Sequence, residues 1–340
     1  NNNAMEYNMK DYNILILSAG RRVELIQAFK KAADKLNIKS SIICADMSGL
    51  APSLYFADKH RLIPAISDPS YIENLILLCN EENIKLVVPT IDTELLILAE
   101  NKQRIESETT AKVMISDLNL IKMCRDKIRT SDDLSGNGFL VPYLYSNQDI
   151  IQEKITYPCF IKPKSGSSSI NVFKVNNDKE LEIYTKFIPD FMLQDYVGGE
   201  EYTVDVMLDF DSNPITIVPR LRLATRSGEI SKGLIVKNRL IIDTIKEMMR
   251  KFKFIGHITI QLKMDKEIKF IEINPRFGGG APMSIAAGAD SCENLYRLLM
   301  GESLTYNENL LNFLKNLKYN PFDRKKASLR TYLYLQFLRL

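Results

Sequence analysis

The stretch Ile268–Pro282, IKFIEINPRFGGGAP, decides how the chain is read. Ile268, Phe270, Ile271 and Ile273 are the β-branched and aromatic residues that a buried strand favours. Glu272, Asn274 and Arg276 alternate with Ile271, Ile273 and Pro275, and residues two apart on a strand project from one face. A carboxylate, an amide and a guanidinium are therefore expected in a row on one side of an apolar strand. Left unsatisfied, such buried groups cost on the order of 1–3 kcal/mol each, so the pattern asks for a ligand. Glu and Asn oxygens suit a hard cation such as Mg²⁺, and Arg suits phosphate or carboxylate. The Gly278–Gly280 run adds backbone that a ligand can approach closely.

With 340 residues the chain has room for two or three domains with their own cores. A net charge of +3, with 26% charged and 45% hydrophobic residues, describes an ordinary mixed surface and gives no footprint for nucleic acid or an acidic membrane. Cys44, Cys79, Cys124, Cys159 and Cys292 are far apart with no CxxC pair, and read as reduced, buried thiols of a cytoplasmic protein. His60 and His257 alone exclude a His-rich metal centre. No apolar run reaches the length of a membrane span, and the opening NNNAMEYNMK has no signal-peptide core.

Asn13–Ser18 reads as a short apolar strand, followed by Ala19-Gly20-Arg21-Arg22 and a helix over Val23–Leu36 with Val23, Ile26, Phe29 and Ala33 on one face. Strand Ser40–Ala45, helix Tyr71–Asn80, strand Lys85–Pro89, helix Thr93–Asn101 and strand Lys112–Ser116 follow. This alternation predicts parallel β-α-β units, whose ligand loops lie at the strand C-terminal ends. Ser18–Arg21 and Thr90, Asp92 and Glu94 occupy such loops, but the glycines do not make GxGxxG, so a scaffold or carboxylate-substrate lobe is favoured over a dinucleotide site. Asp92 and Glu94 read as acids favoured at a helix N-terminus, with contact to a substrate amine as the alternative.

Beyond Leu118 the pattern changes. A helix over Leu118–Cys124, a turn-rich Ser131–Gly138, and strands Phe139–Tyr145, Tyr157–Ile161 and Asn171–Val175 are predicted. Between the last two strands lies Lys162-Pro163-Lys164-Ser165-Gly166-Ser167-Ser168-Ser169, a small-residue hydroxyl loop flanked by lysines that suits an anion. A solvated hairpin tip explains the serines but not Lys162, a charge ending an apolar strand. Phe191–Val197, Tyr202–Asp209, Ile215–Val218 and His257–Met264 read as strands, the last joined to the opening stretch through an Asp265–Glu267 turn, and Asn238–Arg250 as a helix. Arg220, Arg222 and Arg226 form either a solvated basic edge or, at Arg222, a contact for substrate carboxylate or phosphate. His257 reads as a packed strand-end histidine. Asn309–Leu317 is expected to be helical, before an apolar-rich Leu329–Leu340.

Four segments, in this order and spacing, resemble the ATP-grasp superfamily. They are Lys127; Phe160-Ile161-Lys162-Pro163 with its serine loop; Leu193-Gln194-Asp195-Tyr196-Val197 followed by Glu201; and Gln261 with Glu272-Ile273-Asn274-Pro275-Arg276. The nearest branch is that resembling the carbamoyl phosphate synthetase large subunit, with biotin carboxylase and D-alanine–D-alanine ligase further away. The resemblance runs from Asn13 to Met300 and implies a doubly wound parallel-sheet (pre-ATP-grasp) domain over 11–118 and a two-lobed ATP-grasp fold. The lobes would be a lid over 119–190 and a core with a metal site over 191–302, leaving a tail at 303–340 with no assigned role.

The resemblance further implies ATP with Mg²⁺ or Mn²⁺. Lys127, Lys162 and the loop Ser167, Ser168, Ser169 would meet phosphates; Gln194, Asp195, Tyr196 and Val197 would form the adenine hinge; Glu201 would bind ribose. Gln261, Glu272 and Asn274 would hold the metal, and Arg276 would steady the transferred phosphoryl group; apart from the resemblance, Arg222 and Lys232 complete the catalytic candidates, Lys232 as a reach to the γ-phosphate. Relatives carry more glycine where this chain has Ser168 and Asn171, and Gln261 replaces the carboxylate of many ligases, as it does in the carbamoyl phosphate synthetase branch. The implied activity is a C–N-bond-forming, ADP-forming ligation of a small-molecule acid to an amine through an acyl phosphate. Phosphorylation of a small carboxylate such as carbamate, or a catalytically weak nucleotide-binding subunit, are the alternatives. A single grasp unit without a glutaminase domain argues against complete carbamoyl phosphate synthesis. A homodimer is the expected assembly.

Overall fold

A computed structural model of the chain describes residues 11–152, 154–164, 171–226 and 229–308. Ser167, Ser168 and Ser169, the helix expected at Asn309–Leu317 and the apolar Leu329–Leu340 lie outside the described residues.

The chain opens with β1 (Asn13–Leu17), α1 (Val23–Leu36), β2 (Ile42–Asp46), β3 (Lys59–Leu62), α2 (Tyr71–Glu81), β4 (Ile84–Val88), α3 (Leu95–Glu108) and β5 (Lys112–Val113). The strands form an all-parallel sheet in the order β3-β2-β1-β4-β5. Ile14–Leu17 are buried on both faces, as a helix-covered parallel sheet requires. The polar edge strand β3 (KHRL) lacks any apolar pattern and was not expected.

Next come α4 (Leu118–Arg125) and α5 (Lys127–Gly136). The expected turn-rich segment Ser131–Gly138 is instead mostly this helix. Asp126 caps it by accepting from the Ile128 and Arg129 amides, and Leu134 is buried on the far side. Of the expected strand Phe139–Tyr145, only β6 (Leu144–Tyr145) pairs. Pro142 has no amide to donate, and Phe139 packs edge-on against Phe270 at 5.8 Å between ring centroids. Then follow α6 (Asn147–Ile151), β7 (Cys159–Pro163), β8 (Phe173–Val175), α7 (Asp178–Phe187) and β9 (Phe191–Asp195). The four strands form an antiparallel sheet in the order β6-β9-β7-β8. The expected boundary at residue 190 puts β9 with the core lobe, but its hydrogen bonds tie it to β6 and β7 in the small sheet.

The third sheet contains β10 (Glu200–Leu208), β11 (Pro214–Arg226), β12 (Glu229–Ile235), then, after α8 (Arg239–Lys251), β13 (Gly256–Met264) and β14 (Ile268–Asn274). It is antiparallel in the order β12-β11-β10-β13-β14. Period-two alternation sends Tyr202, Val204, Val206, Leu208, Ile258 and Ile260 into a core closed by Ile241, Ile245 and Met249 of α8. The opposite face carries Glu201, Thr203, Asp205, Arg220, Arg222, Thr259, Gln261, Glu272 and Asn274. Finally, α9 (Ala281–Ala286) and α10 (Ser291–Leu299) pack on α1. Cys44, Cys79, Cys159 and Cys292 are buried free thiols. No helix among the described residues is long and apolar enough to cross a membrane.

Candidate functional site

Antiparallel register places Gln261 opposite Glu272 and Thr259 opposite Asn274. Asn274 Nδ2 donates to Glu272 Oε1 at 2.8 Å, and Gln261 Nε2 donates to Glu201 Oε1 at 2.5 Å. The same Glu201 oxygen lies 3.0 Å from Arg222 Nε, so Glu201 joins the basic β11 to the β13–β14 pair. With both amide nitrogens so engaged, the Asn274 and Gln261 oxygens accept no hydrogen bond among the described residues and stand beside one carboxylate. An all-oxygen set of this kind fits a hard divalent cation. No cluster of three or more His, Cys, Asp or Glu occurs among the described residues, so such a cation would share its remaining positions with ligand or water oxygens.

Two lysines face this strand. Lys162 is the last residue but one of β7 and is buried; burial and the nearby Lys127 push its ammonium down to about 8, while Glu272 acts the other way. Burial lowers the Lys127 ammonium too, with Glu272 opposing, and Lys127 Nζ donates to the Pro163 carbonyl at 3.1 Å. Lys127, Lys162, Gln194, Met192 and Ile271 line one small cavity. Gln194 is buried there, whereas Asp195, its neighbour on β9, turns to the other face and accepts from Tyr145 Oη at 2.5 Å. Tyr196 stacks on Phe160 with centroids 5.5 Å apart, and the Val197 carbonyl accepts from Lys263 Nζ at 3.0 Å. Lys232 is exposed and lies across from Ala224, on the edge strand β12.

Arg276 is held by a residue from the other end of the chain. Its Nε and Nη2 donate to Asp92 Oδ1 and Oδ2 at 3.1 and 2.5 Å. Asp92 follows β4, in a turn pinned by the buried Glu94, whose carboxylate accepts from Ser18 Oγ and from the Thr90 and Ile91 amides. Burial raises the Glu94 carboxyl to about 7 against these hydrogen bonds. Asp92 and Glu94 are thus bound to protein groups rather than serving only as dipole partners.

Sequence reasoning missed Lys263, the pairing of Asp92 with Arg276 and a buried charge network. Lys263 follows Gln261 by two residues, a spacing that already points to the same face. In the network Asp205 takes Arg220 Nε at 2.8 Å and Nη2 at 3.0 Å, and Ser284 Oγ at 2.5 Å, with His257 Nε2 3.5 Å away. Burial works against its charge, yet the Arg220 guanidinium and His257 hold the Asp205 carboxyl well below the usual carboxylate range. The Gly278–Gly280 run belongs to this network. A Cβ on Gly280 would fall 2.0 Å from Arg220 Nη1, and one on Gly278 2.9 Å from Thr259 Oγ1. The close approach expected for a ligand is made to the protein's own side chains, and Arg220 is an interior ion pair rather than part of a solvated edge.

Residues 14–114 match the family described as PylC-like, N-terminal domain, and residues 144–226 match D-ala D-ala ligase C-terminus. Residues 187–320 match ATP-grasp in the biosynthetic pathway with Ter operon. The chain belongs to the ATP-grasp superfamily. A D-alanine--D-alanine ligase of Marinomonas sp. (strain MWYL1) is 30% identical over 106 residues, 28% of this chain and 33% of that protein. A carbamoyl-phosphate synthase of Methanobrevibacter smithii is 22% identical over 131 residues, 37% of this chain and 36% of that protein. The ATP-grasp chain spans about a third of the length of these curated relatives. Among solved structures, the N5-carboxyaminoimidazole synthetase of Staphylococcus aureus complexed with ADP superposes with a TM-score of 0.70 at 17% identity, covering 89% of this chain and 82% of that one. That likeness is one of ATP-grasp fold.

Proposed function

We propose that the chain ligates a small carboxylic acid to an amine at the expense of ATP. The observation that supports this most directly is that Lys127 and Lys162 line one small cavity together with Ile271, on the strand that carries Glu272 and leads into Arg276. In this reading a carboxylate oxygen attacks the γ-phosphorus of ATP, ADP leaves, and the amine nitrogen then attacks the acyl phosphate carbon. Phosphate departs with the C–O bond as the amine gives up a proton. Positioning and charge neutralisation supply most of the rate in such transfers.

Lys127 and Lys162 would grip phosphates, with Ser167, Ser168 and Ser169 as further phosphate-binding groups. Gln194 and the main chain at Tyr196 and Val197 would receive the base, beside the Phe160–Tyr196 stack, and Glu201 the ribose. Gln261, Glu272 and Asn274 would hold Mg²⁺ or Mn²⁺, which would neutralise phosphate charge. Arg276, supported by Arg222 and Lys232, would steady the phosphoryl group. A parallel-sheet domain at the start, the small sheet as lid and the large antiparallel sheet as core complete the proposed organisation.

The test is ADP release from Mg–ATP across a panel of small acids and amines. Release that needs both partners, and that falls at least about 100-fold in kcat in Glu272→Ala and Asn274→Ala, is expected. The match to carbamoyl-phosphate synthase favours, as a second reading, phosphorylation of a small carboxylate alone; ADP release indifferent to amine would select it. Unchanged turnover in both variants would remove the site assignment.

A further inference from the structure

A guanidinium has five N–H donors. In Arg276 the Nε and Nη2 bonds to Asp92 and an Nη1 bond to the Phe277 carbonyl at 3.2 Å use three of them. Among the described residues one N–H on each terminal nitrogen is left, enough for a two-point contact with one phosphoryl or carboxylate group. Both partners are well shielded, with side-chain exposures of 15% for Arg276 and 13% for Asp92. They follow strands of different sheets, β4 and β14, and stand 184 residues apart in sequence. Asp92 sits just past the C-terminal end of β4, next to β1, where the strand order β3-β2-β1-β4-β5 turns back on itself. Ligands of open α/β sheets gather at such a point.

We propose that Asp92 is a positioning residue for phosphoryl transfer: it fixes the guanidinium plane of Arg276 so that the two remaining donors face the transferred phosphoryl group. The inference rests on the role given to Arg276 under Proposed function. Two features distinguish it from a substrate-displaced latch, in which Asp92 would merely fill an acid site. The turn carrying Asp92 is anchored directly before it, where buried Glu94 accepts from the Thr90 amide at 2.8 Å and the Ile91 amide at 3.3 Å. The pair also occupies the Nε side of Arg276, leaving a donor on each terminal nitrogen for a ligand.

The experiment titrates inorganic phosphate into the full chain saturated with Mg–ADP, by calorimetry, for wild type, Asp92→Asn and Asp92→Glu. Asp92→Asn removes the charge and one acceptor. Asp92→Glu keeps the charge, guarding against loss of folding, but displaces the fork by one methylene. Phosphate affinity is expected to weaken at least about tenfold in both, with Mg–ADP affinity within about twofold of wild type. Unchanged phosphate affinity would reduce Asp92 to a structural tie, and tighter affinity would make it the displaceable latch; either overturns the proposal. So would a wild-type Mg–ADP complex that binds no phosphate. If phosphate behaves as expected but no acid–amine pair supports ADP release, the ligase reading fails and the positioning inference stands.

Discussion

Lys162 carries its charge at the buried end of β7, and its ammonium lies near 8 rather than the ordinary 10.5 because burial and Lys127 disfavour the charge. Between these values the unfolded chain binds more protons than the folded one. The burden on stability is therefore complete below about 8 and fades as pH rises toward 10.5. Anion binding reverses the balance, since a phosphate favours the ammonium. Mg–ADP binding above pH 8 should take up a proton, and its affinity should fall with rising pH, by at most about tenfold per unit. Calorimetry in buffers of different ionisation enthalpy measures the uptake, and Lys162→Met should abolish it. A wild-type affinity flat from neutral pH past 9 would place Lys162 away from the phosphates. This residue was legible because a charge closing an apolar strand needs a partner. Asp92 was not, because a single sequence does not disclose that position 92 meets position 276.

At the scale of elements, the alternation in β10, β13 and β14 was plain, and it already assigned polar and apolar faces to the core sheet. Less plain were elements whose support is tertiary. The polar sequence of α5 carries little helical signal, and the helix stands on the Asp126 cap and on Leu134 against the core. The strand β3 is exposed throughout and stands on its pairing with β2. The glycine run shows the same limit from the other side: its need for small residues was readable, but not what fills the space. Gly280 has φ −88°, open to any residue, so its constraint is Arg220 rather than backbone conformation. Gly280→Ala should therefore destabilise the fold by about 1–3 kcal/mol, as overpacking does, by pressing on the Asp205–Arg220 pair. Urea unfolding measures it; an unchanged midpoint and slope would mean that the guanidinium moves aside freely.

Across the whole molecule, each sheet has a hydrophobic cluster of its own, and a further cluster crosses between two of the sheets. One cluster joins Ile14, Ile16, Phe29 and Cys44 of the parallel-sheet unit to Met207, Ile215, Phe277, Leu295 and Tyr296. Phe29 lies edge-on to Phe277 at 6.2 Å and to Tyr296 at 5.9 Å, and Tyr296 Oη is 2.7 Å from Ser40 Oγ. The small sheet has a separate cluster built on Cys159, Ile161, Val175, Leu181, Ile188 and Leu193. Cooperative units follow shared burial, because opening one side of a common core exposes the other. The parallel and core sheets should therefore open together, and the small sheet by itself at lower free energy. This arrangement suits the proposed chemistry: Asp92 and Arg276 are tied within the larger body, while Lys162 belongs to the sheet with a core of its own. Native-state hydrogen exchange of the full chain tests it. Amides of β1, β10 and β13 should share one opening free energy, with those of β7 and β8 below it. Tyr296→Ala should lower the shared value by about 3–5 kcal/mol in both large sheets and leave the small sheet's local opening unchanged. Distinct opening free energies for β1 and β10 in wild type would show that the Phe29–Tyr296 contact does not couple the two sheets, and the positioning of Arg276 by Asp92 would then rest on the ion pair alone.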